Sequence, residues 1–310
     1  MIKVSLQLFE SFKRWRHAGA LALVLVLAWA PVGVVYAQSP QALALKAQHA
    51  ARLAAMSASP FQRPLVLESI EHDDRLQGDI YAQIDLPFSL VGPALRGIDS
   101  WCDILILHLD VKQCSAIQST GGASLGLDIG KRNQPLLDAY RLELAYKALP
   151  LQPDYLRVEF EADQGPMGTS DYLIVIEAVA LDAQRSFLRM SYGYRYGTMA
   201  RIAMQGYLAT AGRSKIGFSV VGRTPDGKAE YVRGMRGVVE RNTMRYYLAV
   251  EAYLGALSLP AAQRFERRLA DWFSGTERHA AQLHELERDE YLALKRGRSP
   301  GRSPAQARGG

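Results

Sequence analysis

Residues 234–257 read GMRGVVERNTMRYYLAVEAYLGAL, and the rest of the chain is organised around them. At 3.6 residues per turn, Met235, Val239, Tyr246, Ala249, Val250, Tyr253 and Leu257 fall on one side and form a wide apolar stripe. Asn242 and Thr243 are polar residues inside that stripe. Glu240, Arg241, Arg245 and Glu251 take the opposite side, with Met244 and Leu248 between them. The pattern predicts a long helix packed on its main face and partly covered on its back. Its apolar face is aromatic and small rather than leucine-rich, and strand-like segments precede it. We therefore read it as a helix lying across a curved sheet, with a cavity between the two.

Upstream of this helix the apolar period is two. Leu125, Leu127 and Ile129 alternate with polar or small residues, as do Leu142, Leu144 and Tyr146, and then Leu156, Val158, Phe160 and Ala162. Such alternation marks half-buried antiparallel strands. Residues 171–181 are apolar on both faces, which places them centrally or beneath a covering helix. Residues 185–196 pair with them through the turn at 182–184 and put Leu188, Met190, Tyr192, Tyr194 and Tyr196 on one face. Nearer the start, 38–57 reads as a helix and 59–64 as a linker. Two short strands follow, at 65–71 and 77–84, and then a helix with Asp85 as N-cap and Pro87 in its first turn. Residues 101–108 are too short an apolar run for periodicity to decide between helix and strand. A helix at 198–210, a hairpin around Thr224-Pro225-Asp226-Gly227, and a helical segment from Pro260 to Leu294 broken near Ser274-Gly275 complete the pass.

Lys3, Lys13, Arg14 and Arg16 precede an apolar run over 18–30, and Val35-Tyr36-Ala37 closes it with small residues, the pattern of a secretory signal peptide cleaved after Ala37. A retained membrane anchor is the alternative reading of the same run. A periplasmic location follows from export. The formal charge of +6 sits in this segment and in 295–310, which carries Lys295, Arg296, Arg298, Arg302 and Arg308 with no acid. The stretch between is slightly acidic, so nucleic-acid binding loses its main support. The Gly/Pro/Ser/Arg composition of 295–310 predicts a disordered basic tail. Cys102 and Cys114 are the two cysteines, and export favours a disulfide between them. Bonding requires Cα atoms within about 7 Å, so the chain must turn back near 108–112.

The order of elements, strand, two short helices, six or more antiparallel strands and one long helix, resembles the START-like helix-grip superfamily of lipid-transfer proteins and polyketide cyclases. The stretch Ile80-Tyr81-Ala82-Gln83-Ile84-Asp85-Leu86-Pro87-Phe88, with Val91, Leu95 and Trp101 downstream, is similar to that superfamily's opening, and 234–257 stands where its gripping helix stands. The chain as a whole also resembles exported proteobacterial proteins. The helix at 198–210, the extension after Pro260 and the cysteine pair depart from the superfamily pattern. The resemblance implies an α+β fold: a curved antiparallel sheet wrapped around a long C-terminal helix, with helical extensions at both ends. Five parts are expected: signal peptide 1–37, helix and linker 38–64, helix-grip domain 65–259, helical extension 260–294 and tail 295–310. The cavity would hold a lipid, an isoprenoid or a polycyclic compound.

On this reading Tyr146, Phe160, Met190, Tyr192, Tyr194 and Tyr246 supply apolar walls with hydroxyls, and Asn242 and Thr243 supply fixed polar groups. Arg241 and Arg245 are candidates to hold a carboxylate or phosphate headgroup at the mouth, against the plainer role of helix-surface salt bridges. The G-x-S-x-G match at 122–126 lies before a strand rather than between strand and helix, and His279 and His284 point to different helix faces. No cofactor, metal or catalytic residue is expected. The leading function is a periplasmic carrier of an apolar small molecule, with transient membrane contact. The alternatives are a cyclase- or hydrolase-type enzyme on the same fold, or an envelope protein that engages a partner through 260–294.

Overall fold

The computed structural model describes residues 39–210 and 212–297; the expected signal peptide and most of the expected tail lie outside them. Eight strands form one antiparallel sheet: β1 (Leu65–His72), β2 (Arg75–Ile84), β3 (Val111–Ser119), β4 (Gly122–Ile129), β5 (Tyr140–Ala148), β6 (Tyr155–Gln164), β7 (Thr169–Ala180) and β8 (Ser186–Tyr196). Their order is β1-β2-β8-β7-β6-β5-β4-β3. The period-two residues fix which side is buried. On β8, Leu188, Met190, Tyr192, Tyr194 and Tyr196 join the main core together with Leu76, Ile80 and Ala82 of β2.

Both faces of the sheet are covered. The helix α1 (Pro40–Ser57) starts on Ser39, whose Oγ accepts from the Ala42 amide at 3.1 Å. It buries Ala42, Leu45 and Met56 against Tyr81, Tyr155, Val179 and Phe187 on the outer face. Beside this patch Arg189 donates to Asp79 at 2.9 Å and to Glu177 at 3.0 Å, while the Tyr155 hydroxyl donates to Glu177 at 2.6 Å. The inner face meets α2 (Phe88–Arg96), α3 (Ile98–Leu105) and, across it, α5 (Gly234–Gly255). Between β8 and α5 the chain forms α4 (Thr198–Ala209) and a separate two-stranded sheet of β9 (Val220–Arg223) and β10 (Ala229–Tyr231). This is the expected α+β arrangement of an antiparallel sheet gripping a long helix.

The long helix approaches the sheet unevenly. It lies against β2, β1 and β8. Thr243 packs directly on Gly78, where a Cβ would sit 2.3 Å from the Thr243 Oγ1. A glycine facing the helix is what allows the two backbones to come this near. Thr243 Oγ1 in turn donates to the Val239 carbonyl at 2.7 Å, so it is satisfied inside its own helix.

Partial cover of the back of α5 holds: α6 (Ala261–Glu277) and α7 (Ala280–Leu283) lie on it, with α8 (Arg288–Arg296) packed on α6, and the Trp272 Nε1 donates to the Arg245 carbonyl at 3.1 Å, while the Glu251 side chain stays 33% exposed. Several expectations are corrected. Glu240 is fully buried and accepts from the Phe218 amide at 2.5 Å and the Ser219 amide at 2.9 Å, with Arg236 3.8 Å away. Helix α6 runs through Ser274-Gly275, because Gly275 gives way to Leu248 rather than breaking the helix; a Cβ there would lie 3.1 Å from Leu248. Asp85 does not cap α2, which starts after Pro87 with no side-chain cap; its carboxylate accepts from Gln83 at 3.3 Å. Residues 111–119 form a strand, and 98–105 a helix, where periodicity was silent. Lys295 and Arg296 belong to α8 rather than to a tail. Cys102 of α3 and Cys114 of β3 are disulfide-bonded, with Cα atoms 5.2 Å apart.

Candidate functional site

Where α5 stands off from the sheet a cavity of about 260 Å³ remains. Its walls are Leu127 and Ile129 of β4, Leu142 and Leu144 of β5, Tyr172 and Ile174 of β7, and Tyr192 and Tyr194 of β8. Met235, Val238, Asn242 and Tyr246 of α5 face them, and Ala200 and Met204 of α4 close one side. The strands contribute through every second residue, which is why a single face of each supplies the wall. The turn between α3 and β3 completes the lining with His108 and Asp110.

The tyrosines form a connected group. Ring centroids are 5.2 Å apart for Tyr172 and Tyr194, 5.6 Å for Tyr192 and Tyr194, and 5.3 Å for Tyr192 and Tyr246. These separations suit aromatic packing. Burial raises the phenols of Tyr192, Tyr194 and Tyr246 above their ordinary range and pushes Tyr172 up to about 12, so all four stay protonated. The Tyr172 hydroxyl shares a hydrogen bond with Thr169 Oγ1 at 2.7 Å.

His108 stacks on Tyr246, centroids 4.7 Å apart, and its Nδ1 accepts from the Asp110 amide at 3.2 Å. The ring proton therefore sits on Nε2, a buried atom with no hydrogen-bond partner among the described residues. Burial, with Arg245 and Lys295 nearby, holds the imidazole well below its usual range, so His108 is neutral. The Asp110 carboxyl is open to the pocket yet ringed by protein. That surround raises it above the ordinary carboxylate range, against the pull of Arg245, Lys295 and Lys112. The turn is pinned from behind: Lys295 Nζ donates to the His108 carbonyl at 2.5 Å and to the Val111 carbonyl at 2.9 Å.

A second compartment of about 740 Å³ adjoins the first and shares Asp110, Met167, Met204, Val238 and Asn242 with it. It is more polar, bounded by Lys131, Arg132, Arg241, Arg245 and Glu285. Met167 holds a left-handed backbone, φ 59°, at this boundary, where such a conformation is unusual for a side chain of its kind. Helix α4 lies over both compartments through Met204, while its Met199 and Ile202 are exposed.

Of the residues expected at the site, Tyr192, Tyr194, Asn242 and Tyr246 line the inner cavity, and Arg241 and Arg245 the outer one. The other four do not line either. Phe160 is buried against Trp101, centroids 5.0 Å apart, and Tyr146 packs on Phe160 with its hydroxyl donating to the Arg96 carbonyl. Met190 is buried in the core opposite Ile80 and Ile176. Thr243 is taken up by Gly78. These side chains share a face with the site but stand farther along the sheet or nearer the grip. Sequence reasoning missed His108, Asp110, Tyr172, Met167 and Met204. Asp110 follows the apolar run 104–107, where a carboxylate next to a tight turn and a half-buried strand was the available signal.

No family model matches the chain, and no curated protein matches it. Among solved structures, norcoclaurine synthase from Thalictrum flavum in complex with dopamine and hydroxybenzaldehyde is 13% identical; the match covers 48% of this chain and 81% of that one, with a TM-score of 0.29. The Zhui aromatase/cyclase from Streptomyces sp. R1128 is 14% identical over 63% of this chain and 96% of that one, with a TM-score of 0.36. A conserved protein from Geobacillus kaustophilus is 12% identical over 44% and 86%, with a TM-score of 0.30.

Proposed function

We propose that the protein binds an apolar small molecule in the cavity between sheet and α5 and carries it without covalent chemistry. One observation bears most of this reading. The inner cavity, about 260 Å³, is walled mainly by aliphatic and tyrosine side chains, with His108, Asp110, Thr169 and Asn242 as further polar points. Ligand sites are commonly about 300–1,000 Å³ and mostly apolar with a few placed polar groups, so this one suits a compact ring system or a short chain. Burying such a body gains roughly 25 cal/mol per Å² of apolar surface, before the cost of immobilising it. A periplasmic setting accords with the Cys102–Cys114 bond, since disulfides persist in oxidising compartments.

An enzyme of cyclase type is the second reading, and the Asp110 carboxyl favours it. A carboxyl raised by burial and open to a ligand cavity is suited to proton transfer.

The test uses the full chain purified from cells. Solvent extraction and mass spectrometry are expected to find one apolar compound in near-stoichiometric amount. The neutral dye N-phenyl-1-naphthylamine is expected to bind and to be displaced by that extract. An empty extract together with no dye binding sinks the carrier reading. Turnover of the extracted compound that Asp110→Asn abolishes, with dye binding intact, decides for the enzyme.

A further inference from the structure

We propose that the outer compartment is an oxyanion site, so that the bound molecule is an apolar body bearing one carboxylate or phosphate. This rests on the binding role above and adds the chemistry of the ligand's polar end. Arg241 is 4% exposed and borders the compartment. Among the described residues it has no carboxylate within 4 Å, and its one hydrogen bond runs from Nη1 to the Ile216 carbonyl at 3.2 Å. Its other guanidinium nitrogens have no hydrogen-bond partner among the described residues and open onto the compartment. A single carbonyl leaves a guanidinium without the planar anion that best satisfies its N–H groups.

The neighbouring cation deepens the deficit. Arg245 lies one turn along the same side of α5 and donates to Glu285 at 2.9 Å and to the Leu283 carbonyl at 3.3 Å, while its Nε is buried with no partner. Glu285 is itself shared with Lys215 at 3.1 Å. Of the charged side chains bordering the compartment, four are cations, Lys131, Arg132, Arg241 and Arg245, and two are carboxylates, Asp110 and Glu285; Arg132 is offset by Glu290 at 2.8 Å, which leaves one cation in excess. One added anion beside Arg241 would reduce that excess and give its free N–H groups an acceptor, in the planar geometry guanidinium favours.

Helix geometry joins the two ends of such a ligand. Asn242 borders both compartments, Arg241 precedes it toward the outer one, and Tyr246 lies one turn on in the inner one. A molecule with its ring against Tyr192 and Tyr246 therefore passes Asn242 before its charged end reaches Arg241.

The experiment compares 2-naphthaleneacetate with 2-naphthaleneethanol, the same ring with and without the charge, by calorimetry on the full chain. Inorganic phosphate alone is the third titrant. The acid is expected to bind about tenfold or more tightly than the alcohol, the scale of one charge-assisted hydrogen-bonded pair. Arg241→Gln is expected to remove the preference for the acid over the alcohol, and Arg241→Lys to restore part of it. Equal binding of acid and alcohol by the unaltered protein overturns the oxyanion site and leaves the carrier role standing. That comparison needs no variant to fold. Failure of both compounds overturns both. Displacement of the acid by millimolar phosphate would mean a site for a free ion rather than for the ligand's own end, and also overturns the proposal.

Discussion

Substituting Gly78 by alanine tests whether the grip between sheet and helix is set by one absent methyl group. The new Cβ would stand 2.3 Å from the Thr243 Oγ1 and 3.1 Å from its Cβ. Two heavy atoms need more than 3 Å, so strand and helix must part by close to an ångström or Thr243 must turn and lose its bond to Val239. Overpacking of this kind costs about 1–3 kcal/mol. The backbone of Gly78 is not in the left-handed region, so alanine also gains about 0.4–1 kcal/mol by restricting the unfolded chain. The net loss should be roughly 0–2.6 kcal/mol. Repeating the change in a Thr243→Ala background removes the hydroxyl and methyl, and the penalty should shrink by at least about 1 kcal/mol. Urea denaturation of the four proteins gives this cycle directly. The same change shifts Asn242 and Tyr246, so N-phenyl-1-naphthylamine should bind the single variant more weakly and the double variant nearly as before. If Gly78→Ala costs the same in both backgrounds, the Thr243 contact is not the limiting one and the reasoning fails.

Further outcomes follow from the same geometry. Cys102→Ala with Cys114→Ala should lower stability by about 3 kcal/mol in the loop-entropy model for a separation of 12 residues; unchanged melting with and without reductant would refute a stabilising bond. Because Asp110 is raised in the folded protein, its contribution to stability is full below its unfolded pKa of about 4 and is lost as pH rises through the folded value. Asp110→Asn should therefore gain on the unaltered protein as pH climbs from 4 to 7, and parallel melting curves against pH would rule this out.

Much of the fold was legible because its signals are periodic. Residues 186–196 alternate so regularly that the sequence alone assigns Tyr192 and Tyr194 to a wall. By contrast, β3 is an edge strand at the far end of the sheet, half-covered on both sides, and its sequence VKQCSAIQS lacks alternation. Tyr172 stayed hidden because β7 is apolar on both faces, being covered by α1 on one and facing the cavity on the other. Asp110 and His108 sit in a turn, where neither period applies. The charges on α5 were misread for a different reason. Helical spacing gives the angle at which Glu240, Arg241 and Arg245 project, but not what lies there: residues 216–219 meet Glu240 and Arg241, and residues 283–285 meet Arg245.

The last helix bears on when the molecule becomes competent. Lys295 is fully buried, and its ammonium group holds the turn that presents Asp110. Chains are made from the other end, and domains fold as they emerge. The sheet and its gripping helix can therefore assemble while the pocket floor still lacks its fastening. The turn that carries Asp110 is then fixed only once the residues of α8 are in place.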